Sequence, residues 1–442
     1  SAAWSTSLSY HFGDWPPPFG IEYRVDAVNA LLALLISGIA LLLLPWARTS
    51  INLEIPERQG PFYALFLLAL SGLMGITLTG DAFNVFVFLE ISSLSTYALI
   101  AHGRDRRALK AAFRYLIMGT IGATFFLIGI GLLYAMTGTL NMADLAERLP
   151  QVSDNNAVHA ALAFIVVGLG LKLALFPLHL WLPNAYAFAP SFITAFVAAT
   201  ATKVALYVML RFIFTVFSPE FSFTAMPLAA VLMALAIAGM FAGSWVAMFE
   251  DNLKRMLAYS SVAQVGYMVL GISLVTAAGV AAGILHLVNH ALMKAALFAA
   301  MGTVYYRIGS VRLDNLAGIG REMPWTMTAF TLAGLSLIGV PLTAGFISKW
   351  YLIIAVMDAG QPWLVALIVI TSLMAIYYIW RVVEAAWFTP APETRAPVSE
   401  APLSLLIPLY VVVAANFWFG IDTRLSVGGA EAAARALLGG GP

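Results

Sequence analysis

The chain has 442 residues, of which 61% are hydrophobic and only 10% charged, where a soluble globular protein carries roughly 25% charged residues. Its net charge is +1, from 23 basic and 22 acidic residues, so no overall field draws in nucleic acid or an anionic membrane surface. It has no cysteine, which excludes disulfides, thiolate-ligated iron–sulfur clusters and thiol chemistry.

Residues 1–24 open the chain with a polar and aromatic stretch that includes Pro16, Pro17 and Pro18 in a row. They have the character of neither a signal nor a transit peptide, and read as an extracytoplasmic segment leading into a first span. Apolar stretches follow near 25–46, 61–80, 82–102, 108–137, 157–182, 190–216, 225–249, 253–274, 277–305, 324–357, 362–388 and 402–420. Each has at least about the 20 residues that cross about 30 Å of hydrocarbon, and together they predict an all-α polytopic membrane protein with 12 spans. The connections are short, with no linker or low-complexity block, so 25–420 reads as one membrane transport domain and 421–442 as a C-terminal tail.

Basic residues are retained on the cytoplasmic side of a bilayer. Arg48, Arg58, Arg104, Arg106, Arg107, Lys110, Lys254, Arg255, Arg307, Arg312, Arg321 and Arg395 fall on one side, against little more than Arg24, Arg148, Arg424 and Arg435 on the other. The bias assigns the first side to the cytoplasm and both visible termini to the outside, which agrees with an even number of spans. The Arg104–Lys110 cluster is then a retention signal, with a docking surface as the alternative.

Two spans are expected to break. As one straight helix, 324–357 would be about 50 Å long, well over the membrane thickness. Pro341 sits in GVPLTAGFISKW (Gly339 to Trp350), and Pro177 sits in GLKLALFPLHLWLPNA (Gly170 to Ala185); at both places the backbone ladder is weakened. Proline kinks alone are common in membrane helices. Two breaks separated by several spans, each near a lysine, fit a transporter built from two repeats, here approximately 61–216 and 225–388.

Four of the six lysines, Lys172, Lys203, Lys294 and Lys349, lie inside apolar spans, where a charge costs at least roughly 2.5 to 3.5 kcal/mol at the helix centre. A lysine near a span end can snorkel to the interface, an alternative weaker for Lys203 in mid-span than for Lys349. Burial disfavours the charged form of an amine and a nearby carboxylate restores it, so such a lysine suits a proton relay. The carboxylate expected to serve is Glu90 in FVFLEISSLSTYAL (Phe86 to Leu99), in mid-span with Ser93 on the same helix; its alternative is a protonated glutamate hydrogen-bonded between helices.

In HLVNHALMKAALF (His286 to Phe298), His286, His290 and Lys294 recur at i, i+4 and i+8 and share one helical face. No glutamate lies between the histidines and no third ligand is evident, so a proton-relay stripe is favoured over a metal site. His179, beside the first break, is a further relay candidate or else a satisfied core histidine. No metal, cofactor or catalytic chemistry is expected in this chain.

The phrases DAFNVFVFLEISSLSTYALIA, YLIMGTIGATF, FPLHLWLPNAY and HLVNHALMKAALF resemble the antiporter-like subunits of respiratory complex I, and most closely the D subunit of the Mrp multisubunit cation/proton antiporters. The resemblance covers essentially the whole chain. It implies a 14-helix fold with two inverted five-helix repeats and a broken helix in each, and this chain would begin at the third of those helices. It also implies Glu90 as the acidic partner in the first repeat, Lys172 on the first broken helix, Lys203 as the bridging lysine, His286 and His290 along the central axis with Lys294 beside them, and Lys349 as the terminal lysine. Lys172 precedes its proline by five residues while Lys349 follows its own by eight, so the two are not equivalent in register.

The function expected from this resemblance is proton translocation, with the Glu90–Lys172 pair opening and closing, within a multisubunit Na+/H+ antiporter in a bacterial-type inner membrane. Its partners would be other membrane subunits, protons, a monovalent cation and the lipid bilayer. The alternatives are a proton-pumping subunit of a complex I-like quinone oxidoreductase or membrane-bound hydrogenase, in which the chain would count as part of a translocase, or a subunit of an inorganic-carbon uptake complex. The intramembrane lysines argue against a purely structural scaffold.

Overall fold

The computed structural model describes residues 7–393 and 395–439; the first six residues of the N-terminal segment and the last three of the tail lie outside the described residues. Among these residues seventeen α-helices follow a short hairpin, β1 (Leu8–His11) paired antiparallel with β2 (Glu22–Val25). The opening segment thus holds a strand pair, and it is tied to the membrane domain where the Gly80 amide donates to Glu22 O at 2.8 Å.

The helices are α1 (Ala27–Glu54), α2 (Gln59–Leu78), α3 (Ala82–Ala101), α4 (Arg107–Thr137), α5 (Met142–Arg148), α6 (Asn156–Leu173), α7 (Leu182–Phe188), α8 (Ser191–Leu210), α9 (Leu228–Phe249), α10 (Leu253–Ser273), α11 (Ala277–Ile308), α12 (Ile319–Glu322), α13 (Pro324–Ile338), α14 (Ala344–Asp358), α15 (Trp363–Trp387), α16 (Leu403–Ile421) and α17 (Arg424–Leu438). Eleven are long and apolar enough to cross a membrane. The remaining stretch, 324–357, is interrupted as its length demanded, with α13 and α14 as two half-helices of 15 residues. The other expected break is also present: α6 stops at Leu173, and Pro177 lies in the non-helical stretch before α7.

Two five-helix sets repeat one another. The first is α2, α3, α4, the broken pair α6/α7, and α8; the second is α9, α10, α11, the broken pair α13/α14, and α15. Asp81 caps α3 through the Asn84 amide, and Asn252 caps α10 through the Arg255 amide. Asp81 bridges to Asn141 and Asn252 to Arg312. Left-handed glycines Gly138 and Gly309 end α4 and α11. A single displacement along the chain carries every member of the first group onto its counterpart in the second. Five crossings is an odd number, so the second set enters the bilayer from the opposite face and the repeats are inverted.

Burial separates core from rim. α8, α10 and α11 are almost wholly buried, and α11 is the hub, packed by α8, α10, α13, α14, α16 and α17. The outer helices α4, α9, α15 and α16 expose large apolar side chains, among them Phe113, Trp245, Leu373 and Ile407. That is the arrangement for a protein whose solvent is lipid, where outward apolar surface is not penalised. The tail is helical as well: α17 lays Ala430, Ala433 and Ala434 against the bundle, contacting α1 and α11.

Candidate functional site

The first break is built around Lys172, in the last turn of α6. Ala174 takes a left-handed conformation (φ 58°) that ends the helix, and Trp181 donates from Nε1 to Leu171 O at 2.8 Å while stacking on Tyr115 at 3.8 Å. Lys172 therefore sits at the carbonyl end of a half-helix, the end that favours a cation. Its Nζ donates to Ser93 Oγ at 2.8 Å and lies 3.5 Å from both Glu90 Oε1 and Tyr97 OH. The nearest partner is thus the hydroxyl, and the Glu90 ion pair is longer than the 2.7–2.9 Å of a tight charge-assisted bond. Lys172 is buried, whereas the Glu90 side chain is 22% exposed.

Beyond Lys172 lies a cavity of about 20 Å³, lined on one side by Ser93, Thr96 and Tyr115 and on the other by Ala201, Val204 and Ala205 of α8. That is room for a water between Lys172 and the helix that carries Lys203. Lys203 is fully buried and donates to Ala198 O at 2.5 Å and Thr202 Oγ1 at 3.3 Å. Among the described residues no carboxylate pairs with it.

The second break is built differently. Gly339 turns left-handed (φ 94°), and a Cβ there would come within 3.0 Å of Lys349 Cδ, so glycine serves both the turn and the approach of the lysine. From α14, Lys349 reaches back to the carbonyls that end α13, Leu337 O at 3.2 Å and Ile338 O at 2.8 Å, and to Ser372 Oγ at 3.0 Å. It also lies 5.0 Å from the Tyr267 ring centroid. Lys349 thus caps the carbonyls that end α13, whereas the Lys172 ammonium turns to side chains of α3.

His286 Nδ1 is 2.8 Å from Ser348 Oγ and its Nε2 is 2.7 Å from Gln264 Oε1. The His290 ring stacks parallel to it at 6.2 Å, but neither of its nitrogens has a partner. Lys294 donates to Leu257 O at 2.8 Å and to Ser260 Oγ. The structure thus joins Glu90 with Lys172, and His286 with the neighbour of Lys349, while Lys203, His290 and Lys294 stand along the buried axis between them. His179 stays apart, stacked on Phe176 at 5.3 Å with Nδ1 unpaired.

Sequence reading missed several groups. Lys254, counted there among the cytoplasmic basic residues, is 3% exposed and donates to Ser191 Oγ at 3.1 Å; the Ser191 amide in turn donates to Glu54. Five of the six lysines are therefore buried. Ser260, Gln264 and Tyr267 were also passed over, although their spacing of four and then three residues places them on one face of an apolar helix.

The family described as NADH:quinone oxidoreductase/Mrp antiporter, TM, matches residues 79–375. The chain is 47% identical over 415 residues to the N subunit of the NADH-quinone oxidoreductase of Desulforudis audaxviator, covering 91% of this chain and 82% of that one. It is 30% identical over 408 residues to the D subunit of the Na(+)/H(+) antiporter of Alkalihalophilus pseudofirmus, covering 92% and 82%. Among solved structures, a chain of the Mrp complex from Dietzia sp. superposes with a TM-score of 0.89 at 28% identity, covering 98% of this chain and 88% of that one.

Proposed function

The chain belongs to the NADH:quinone oxidoreductase/Mrp antiporter transmembrane family, as an antiporter-like subunit of the Mrp or complex I type, and from that premise we propose that it carries protons across the membrane on buried lysines. The observation that supports this most is the loose Glu90–Lys172 pair. Its ammonium is held at 2.8 Å by a neutral hydroxyl and only at 3.5 Å by the carboxylate, so the charge partner can part from the lysine without leaving it unsolvated. A pair locked in a bidentate contact would store the proton; a loose one can release it.

In this mechanism a proton arriving at Lys172 passes through the water-sized cavity towards Lys203, moves along the His286/His290 axis, and reaches Lys349. Moving one charge across 100 mV involves about 2.3 kcal/mol, so net pumping needs an outside source. The 47% identity to a quinone oxidoreductase subunit, beside 30% to an antiporter subunit, favours redox partners as that source. The Na+/H+ antiporter setting, in which a cation gradient supplies the energy, is the second reading, supported by the antiporter relative and the Mrp likeness. In either setting the chain works in a bacterial-type plasma membrane beside other membrane subunits, with its termini on the extracytoplasmic side.

The test uses the intact complex in inside-out vesicles, with dye-reported proton movement followed after a pulse of Na+, K+ or Li+ and, separately, after a reduced electron donor. Glu90→Ala, Lys203→Ala and Lys349→Ala are compared with the unsubstituted protein. Donor-driven uptake abolished by all three, with assembly intact, is expected. A response to cations alone moves the chain to the antiporter setting, and activity surviving in all three variants refutes the lysine relay.

A further inference from the structure

Among the described residues no carboxylate pairs with Lys349, and two of its three hydrogen bonds end at backbone carbonyls. The third leads further. Ser372 accepts from Lys349 at 3.0 Å, and the partner left for its own hydrogen is the phenol oxygen of Tyr267, 3.3 Å away. Tyr267 OH is in turn 2.6 Å from Thr371 Oγ1. Thr371 gives its hydrogen to Leu367 O at 2.8 Å, so it accepts from the phenol. Every O–H in this series therefore points away from the ammonium, from Ser372 to Tyr267 to Thr371 to a carbonyl that can only accept. Hydrogen bonds aligned in one sense reinforce one another.

Tyr267 also faces the lysine with its ring. The ring centroid is 5.0 Å from Lys349 Nζ, within the roughly 6 Å of a cation–π contact, and 5.5 Å from the His286 ring. One buried side chain thus stands against both the histidine stripe and the lysine of the second break. α3 and α10 hold equivalent places in the two repeats, and each brings a tyrosine to the lysine of its break: Tyr97 OH is 3.5 Å from Lys172 Nζ. At the first break the Glu90 carboxylate stands beside that tyrosine's lysine; at the second the hydroxyl series takes its place.

We propose that Tyr267 is the positioning residue of the second break, holding the Lys349 ammonium against its ring and through Ser372 where the first break uses Glu90. Its hydroxyl keeps its own proton and acts only through the lysine. Phenylalanine in its place would keep the ring against His286 and Lys349 but leave the Ser372 hydrogen without its acceptor. Ser372 would then turn, and the ammonium would lose a fixed partner. The role rests on the reading of the chain as a proton carrier, and supplies that reading with the group that fixes its last lysine.

The experiment measures proton flux of the assembled complex in inside-out vesicles, driven by whichever pulse is active, for Tyr267→Phe, Ser372→Ala, the double variant, Ser372→Thr and Lys349→Ala. The first two remove only a hydroxyl, so complex yield should not change. Because Tyr267 and Ser372 act in series, each single substitution should lower flux about tenfold, and the double by about the larger of the two losses, far short of their product. Ser372→Thr keeps the hydroxyl and should stay within about twofold of the unsubstituted protein. Three results would overturn the role: flux in Tyr267→Phe within about twofold of the unsubstituted protein, a loss in the double equal to the product, or a threonine variant as slow as the alanine one. With Lys349→Ala inactive, each of these leaves the proton-carrier reading standing. Undiminished flux in Lys349→Ala removes both.

Discussion

The two breaks solve one problem by different chemistry. Each ends a half-helix inside the bundle and buries a lysine beside the break. At the first, the lysine belongs to the helix that ends, and a carboxylate from α3 stands 3.5 Å away. At the second, the lysine belongs to the helix that begins, and its partners are two carbonyls and a hydroxyl. The displacement that superposes the repeats puts Ser261 where Glu90 stands and Gln264 where Ser93 stands. The second repeat has replaced an ion pair by a neutral network through Gln264, His286 and Ser348. In the proposed relay, a charge partner at one end and none at the other sets a direction: Glu90 tunes the first site, whereas the second answers to its lysine alone.

The largest effect should come from Lys349. No carboxylate or second amine pairs with it among the described residues, so Lys349→Ala should lower proton flux by about a hundredfold or more in the vesicle assay, with complex yield retained. Flux within a few-fold of the unsubstituted protein would mean that the second break is architectural. Glu90→Gln comes next. Because Ser93 still holds the Lys172 ammonium at 2.8 Å, the expected loss is about tenfold, smaller than for Lys349. Should Glu90→Gln prove the more damaging of the two, the proposed direction of the relay is reversed.

A third substitution tests how firmly the second break is fixed. A Cβ at Gly345 would meet Ser336 O at 1.7 Å. Ser336 itself is held by the Gly345 amide and Asn416, and Asn289 donates from α11 to Ala344 O at 2.6 Å. With its neighbours pinned in this way, Gly345→Ala should destabilise the subunit by about 1–3 kcal/mol, seen as a lower melting temperature of the purified complex. An unchanged melting temperature would show that the break can shift to absorb a methyl group.

Much of this was legible in sequence, for physical reasons. Membrane thickness made 324–357 too long for one helix, and the cost of a buried charge singled out Lys172, Lys203, Lys294 and Lys349. The rest was hidden where one-dimensional reading has no signal. Lys254 neighbours Arg255, which pairs with Glu250 at 3.1 Å, and the doublet resembles any cytoplasmic loop; only the fold shows one side chain turned inward and the other turned to a half-buried carboxylate. The reach of Lys349 back to the carbonyls of α13 was equally hidden, since counting residues does not show where a long side chain ends. Ser372 looks like an ordinary member of an apolar helix until the fold brings it to Tyr267 and Lys349.

The smallest effect concerns His179, the one histidine at a break and without a counterpart at the other. Its ring stacks on Phe176 at 5.3 Å and meets the edge of Tyr259 at 6.1 Å, while Nδ1 is buried and unpaired. Nothing in those contacts connects it to Lys172, whose partners all lie on α3. His179→Phe keeps both aromatic contacts and removes the unpaired nitrogen, so flux should change by less than about twofold and its pH profile should be unaltered. A loss comparable to that of Glu90→Gln, or a displaced pH profile, would bring His179 into the relay and give the first break a second titrating group. The contrast between a charged first site and a neutral second one would then be sharper than Glu90 alone makes it.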